Sequence, residues 1–215
     1  MSLKIRLGPL RSWISKLVVV LFFVLCGLQT NNVLAAPPSL GTISPSSGSV
    51  APDTLQSFTC LYTDADGWAN LKKLHFLVSR NSTVLASSVY LYYNQDTNKL
   101  YLRDDANTAW LGGYAPGSPK MIKNSQVKLN CALTTVSGSK ISLIVNWNIS
   151  FKAAYSGKTY KTYLLAKDDS GGSADWTQKG TITIQATSDT IPPTGSITIN
   201  NNAAYTASSS VTLNL

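Results

Sequence analysis

Ile141-Ser142-Leu143-Ile144-Val145-Asn146-Trp147-Asn148-Ile149-Ser150-Phe151 alternates apolar and polar residues along its length. Ile141, Leu143, Val145, Trp147, Ile149 and Phe151 share one phase. Ser142, Asn146, Asn148 and Ser150 share the other, and only Ile144 breaks the pattern. Successive side chains of an extended strand point to opposite faces, so a period of two means one buried face and one wet face. The segment is predicted as a strand with Trp147 in a core.

The same signal spreads outward. Val127, Leu129, Cys131 and Leu133 predict the preceding strand, with Ser137-Gly138-Ser139 as the hairpin turn between the two. Upstream, Phe58, Cys60 and Tyr62 alternate with Thr59, Leu61 and Thr63, and Leu74, Phe76 and Val78 with Lys73, His75 and Leu77. Val89, Leu91 and Tyr93 oppose Tyr90 and Tyr92 in phase. A turn at Gln95-Asp96-Thr97-Asn98 then leads back through Leu100 and Leu102, with Tyr101 and Arg103 opposite. Residues 160–167 and 181–185 complete the set. No window carries a helical stripe. Many short strands with turn-rich breaks predict an all-β sandwich or barrel, and about 150 residues suffice for a real core.

Composition narrows the chemistry. The 215 residues carry 18 basic and 10 acidic side chains, every acid an Asp, together with one His and three Cys. A single His cannot build a His-rich zinc site, and without Glu the usual glycosidase and metalloprotease bases are missing. No phosphate-binding Gly loop, G-x-S-x-G elbow or metal-ligand spacing occurs. The expectation is a protein that is not an enzyme.

The first 35 residues read as an address. Lys4, Arg6, Arg11 and Lys16 precede an apolar run from Leu17 to Leu28, then a polar stretch and Val33-Leu34-Ala35. This three-part order is that of a signal peptide for the Sec pathway. The rival, a membrane anchor, needs about 20 apolar residues, and this run has twelve. Removing 1–35 takes four basic residues away, so the remaining 180 residues carry 14 − 10 = +4. No Lys/Arg run interleaves with aromatics, so nucleic acid is not an expected partner. The expected location is secreted or cell surface, with no membrane insertion after cleavage.

Tyr62-Thr63-Asp64-Ala65-Asp66-Gly67-Trp68 and Ala166-Lys167-Asp168-Asp169-Ser170-Gly171 share a pattern, a strand running into an Asp/Gly turn. Both resemble the bacterial immunoglobulin-like and fibronectin type III-like modules of secreted and surface proteins. The segment from Tyr90 to Leu102, with Thr108 to Gly112, resembles a longer hairpin variant of repetitive bacterial surface proteins. The resemblance spans roughly 41–186. It implies an Ig-like antiparallel β-sandwich with an extra long hairpin, and it brings no catalytic residues. After a linker at 187–193 containing Pro192 and Pro193, residues 194–215 resemble the first strands of a second, incomplete Ig-like repeat. The domain reading is signal peptide 1–35, sandwich 36–186, linker 187–193 and truncated repeat 194–215; a tail strand pairing with the first domain is the alternative for the last piece.

Three sets of residues are candidates for sites. Cys60 and Cys131 sit on inward phases of predicted strands, and an exported chain meets oxidising conditions, so a disulfide across the sandwich competes with two buried thiols. Asp64, Asp66 and Asp168 resemble parts of a calcium loop; the competing reading is ordinary turn formation by Asp. Tyr90, Tyr92 and Tyr101 share the phase opposite the core, and Trp68, Trp110 and Trp176 fall in expected loops. These six offer flat faces to a sugar or protein partner, against a purely structural role for cross-strand rings. His75 reads as a lone surface histidine. The leading expectation is a structural or adhesive repeat that meets protein or glycan at the cell surface. The alternative is a carbohydrate-binding accessory module of a larger extracellular enzyme.

Overall fold

The computed structural model describes residues 35–187 together with 194 and 195. The expected signal peptide, linker and second repeat therefore lie outside the described residues, apart from Ala35, Thr187, Thr194 and Gly195 at their margins.

The described chain is all-β, with thirteen strands in two sheets and no α-helix among the described residues. One sheet orders β1 (Ser39–Ser44), β3 (Leu55–Thr63), β11 (Ser142–Phe151), β9 (Val127–Asn130) and β8 (Met121–Lys123). β10 (Thr135–Ser139) shares the edge of β11 that β9 occupies further along. The other sheet orders β2 (Ser49–Val50), β13 (Ser173–Ile184), β12 (Lys158–Asp168), β4 (Leu71–Ser79), β5 (Val89–Asn94), β6 (Lys99–Arg103) and β7 (Trp110–Tyr114). Pairings are antiparallel except β2 with β13. That parallel pair is reinforced by Thr181 N–H donating to Ser46 O, Thr183 N–H to Gly48 O and Gln185 N–H to Val50 O, each at 2.9 Å.

The decisive stretch is β11, and its apolar phase from Leu143 to Phe151 is buried residue for residue. Ile141, outside the strand, is exposed. The preceding segment differs from expectation: 127–133 is not one strand. Asn130 Oδ1 accepts the Leu133 N–H at 3.3 Å and Thr134 Oγ donates to Asn130 O at 2.8 Å, so side chains supply the partners that a ladder would. The chain turns there, and β10 rather than β9 makes the hairpin with β11, Ser139 pairing Ser142.

The two sheets share one core. The Phe58 and Phe76 rings meet across the sheets at 5.1 Å, and Phe76 lies 6.5 Å from the fully buried Trp147. Burying each such Phe contributes about 1.5–3 kcal/mol. Two tyrosines satisfy their hydroxyls on β4: Tyr62 of the first sheet donates to His75 O at 2.9 Å, and Tyr155 to Val78 O at 2.6 Å. A buried phenol needs such a partner. Both bonds fix β4, the strand on which the outer face of the second sheet is built.

Candidate functional site: the outer aromatic face

Register places the outer-phase residues of the seven-stranded sheet in rows. Leu165 pairs with His75, His75 with Tyr92, Tyr92 with Tyr101 and Tyr101 with Gly112, across β12, β4, β5, β6 and β7. Partners in such a row lie about 4.8 Å apart from strand to strand. In the adjoining row Tyr163 pairs with Leu77 and Leu77 with Tyr90, and Arg103 pairs with Trp110 at its far end.

The rings close over one another. His75 stacks on Tyr92 at 5.3 Å and 25°, with Tyr90 at 5.6 Å, Trp176 at 6.0 Å and Trp110 at 6.3 Å. Tyr92 lies flat against Tyr101 at 4.6 Å and makes an edge-to-face pair with Trp110 at 4.4 Å. Tyr90 makes edge-to-face pairs with Trp110 and Trp176, at 4.9 and 5.4 Å. Offset and edge-to-face pairs are the favoured ring geometries, each adding about 0.5–1.5 kcal/mol. Gly113, at φ +85°, lets the chain run beside Tyr101, where an added Cβ would sit 3.4 Å from the ring.

One cation caps the cluster. Arg103 Cζ lies 4.8 Å above the Trp110 ring, and its Nε and Nη2 donate to Asn107 Oδ1 and O at 2.7 and 2.9 Å. The turn behind it is tied by Asp104, whose carboxylate accepts from Thr108 N–H, Thr108 Oγ and Ala109 N–H.

His75 is only 6% exposed although it points away from the core. The expectation of a surface histidine is corrected: the phase is outward, but Trp110 and Trp176 roof it. Burial, then the Lys167 and Lys73 charges, lowers its pKa to about 3, and its Nδ1 has no hydrogen-bond partner. A neutral imidazole of that basicity is a poor proton acceptor near pH 7. Burial likewise raises the phenol pKa values of Tyr90 and Tyr92. The face thus offers ring surface, hydroxyls and indole N–H groups.

Five of the six expected aromatic residues converge: Tyr90, Tyr92, Tyr101, Trp110 and Trp176. Trp110 and Trp176 do so from strands, β7 and β13, not from loops. Tyr92 is covered rather than exposed, at 8%. Trp68 is elsewhere. It opens a short 3-10 turn, Trp68–Asn70, and lies on Gly138 of β10, where an added Cβ would come 2.3 Å from the indole.

Two of the carboxylates expected to share calcium, those of Asp64 and Asp168, accept hydrogen bonds from their own turns. Asp64 Oδ1 accepts the Asp66 N–H at 2.9 Å and Oδ2 accepts from Asn70 Nδ2 at 3.3 Å, while Asp168 Oδ1 accepts the Gly172 N–H at 2.6 Å. The two similar turns do meet, through Asn70, whose carbonyl accepts the Asp169 N–H at 2.9 Å. Among the described residues no group of three His, Cys, Asp or Glu is placed to hold an ion.

Cys60 and Cys131 are buried free thiols, so the expected bridge is not made. The reason is strand order. Cys60 on β3 pairs with Val145 of β11, whereas Cys131 follows β9, on the opposite edge of β11. Both therefore belong to one sheet with a strand between them, about 10 Å apart, and a disulfide needs Cα atoms within about 7 Å. Burial pushes the Cys60 thiol well up and that of Cys131 to about 11.

No protein-family model matches the chain, and no curated protein matches it.

Proposed function

We propose that this chain is a non-enzymatic, exported immunoglobulin-like module, an adhesive or structural repeat of a bacterial cell-surface or secreted protein. The two-sheet antiparallel architecture and the paired Asp/Gly turns support the Ig-like reading. The observation that carries the adhesive part is the ring cluster on the outer face of the seven-stranded sheet. Rigid amphipathic rings fixed by strands present contact area at low entropic cost, which is what a binding face for protein or glycan requires.

A second reading, a carbohydrate-binding accessory module of a larger extracellular enzyme, is favoured by one detail: Trp110 and Trp176 both make edge-to-face pairs with Tyr90 while their indoles stay half-buried. The experiment recovers the protein from the medium of an expressing bacterium. N-terminal sequencing there is expected to begin at Ala36. The protein and its Trp176→Ala variant are then passed over a glycan array and a panel of host-surface proteins. Loss of an aromatic anchor is expected to weaken binding about 30-fold. A binding profile that Trp176→Ala leaves intact would sink this reading of the face, and retention of the leader inside the cell would sink export.

A further inference from the structure

One row of the same face breaks a rule of sheet design. Lys167 pairs directly with Lys73, Lys73 with Asn94, and Asn94 with Lys99, across β12, β4, β5 and β6. Like charges opposite one another on neighbouring strands are destabilising. None of these three lysines makes an ion pair among the described residues, whereas Lys72, on the other phase of β4, has both Asp96 and Asp169. The lysine row is one step along the strands from the row of His75, Tyr92 and Tyr101, and Arg103 stands on the far side of the rings. Cations therefore border the aromatic surface on both sides.

A local conflict that no ion pair among the described residues offsets marks a place where the compensation comes from outside. An anion is needed for the lysines and a ring-bearing body for the aromatics. Nucleic acid would supply both, but base stacking wants open ring faces. Here Tyr92 and Tyr101 already stack on each other, with His75 on the free side of Tyr92. Sugar rings, which lie on partly covered indoles and carry their charge on carboxylates, suit the surface better.

We infer that this face binds an acidic polysaccharide, with uronate carboxylates on Lys73, Lys99 and Lys167 and sugar rings on the half-buried Trp110 and Trp176. The inference rests on the reading of the face as the contact surface and names its ligand class.

The test uses the full chain, hexagalacturonate as probe and its methyl ester as the uncharged control, followed by calorimetry. The acid form is expected to bind about tenfold more tightly than the ester and to weaken as salt rises from about 0.05 to 0.2 M. Lys73→Gln combined with Lys167→Gln is expected to bind the acid about tenfold more weakly and to melt no lower than the parent, because the like-charge pair is relieved. Equal binding of acid and ester, unmoved by the lysine changes, would overturn the acidic-ligand inference and leave the contact face standing. Binding of neither form, with no other sugar captured on the array, would overturn both. Tighter binding of oligothymidylate than of hexagalacturonate would reassign the face to nucleic acid and overturn the inference as well. The ester comparison needs no variant, so a variant that fails to fold does not blunt the test.

Discussion

The seven-stranded sheet hides aromatic side chains on both faces, and it does so by different means. On the inner face Phe76, Leu74 and Val78 are covered by a second sheet, and nothing of them reaches solvent. On the outer face His75 and Tyr92 are also buried, at 6% and 8% exposure, yet rings of the same sheet lie over them, above all Trp110 and Trp176. A core closed by a second layer is apolar and uniform. A cluster roofed by its own side chains admits an imidazole and keeps partly open rings at its rim. Phase alone says which face a residue takes; it does not say whether that face is wet.

Each prediction strains one side of this contrast. Trp147→Ala strikes the two-sheet core and is expected to cost about 3–5 kcal/mol in urea denaturation. A loss below about 1 kcal/mol would mean that the sheets are not packed as described. The outer cluster is probed by acid. His75 has a folded pKa near 3 against 6.5 unfolded, so between those values the unfolded chain binds the extra proton. Stability is then full above pH 6.5 and falls as pH drops toward 3, with a slope approaching about 1.4 kcal/mol per unit from this group. His75→Leu is expected to flatten that slope. Trp110→Ala is expected to lift the titration of the only imidazole in the chain back toward 6.5, as read by NMR. An imidazole that titrates normally in the parent protein would show the roof to be open. The smallest effect is none at all. Reductant is expected to leave the melting temperature unchanged, and alkylation under denaturing, non-reducing conditions to label both Cys60 and Cys131. A bridged pair would contradict the strand order.

Much of the fold was legible because alternation is a local property. β11, β4, β5 and β6 follow from their own residues, and so does the outward phase of Tyr90, Tyr92 and Tyr101. What was hidden depends on partners distant in sequence. The break after Asn130 is made by side-chain hydrogen bonds that mimic a continuing strand in composition. Trp110 and Trp176 stand in segments rich in Gly, Ser and Asp that read as loops, yet pairing with β6 and β12 extends them. The burial of His75 and the Lys73–Lys167 pair both require the register of β4 against β12, which no single segment encodes. The Cys pair misled for the same reason: inward phase is visible in sequence, sheet membership is not.

The parallel contact between β2 and β13 carries one more consequence. β2 belongs to the beginning of the described chain and β13 to its end, and they run in the same direction. Tension applied at residues 45 and 187 would pull them past each other lengthwise, so the bonds from Thr181, Thr183 and Gln185 would share the load together instead of parting one by one. The shortest strand among the described residues would thus act as a shear latch.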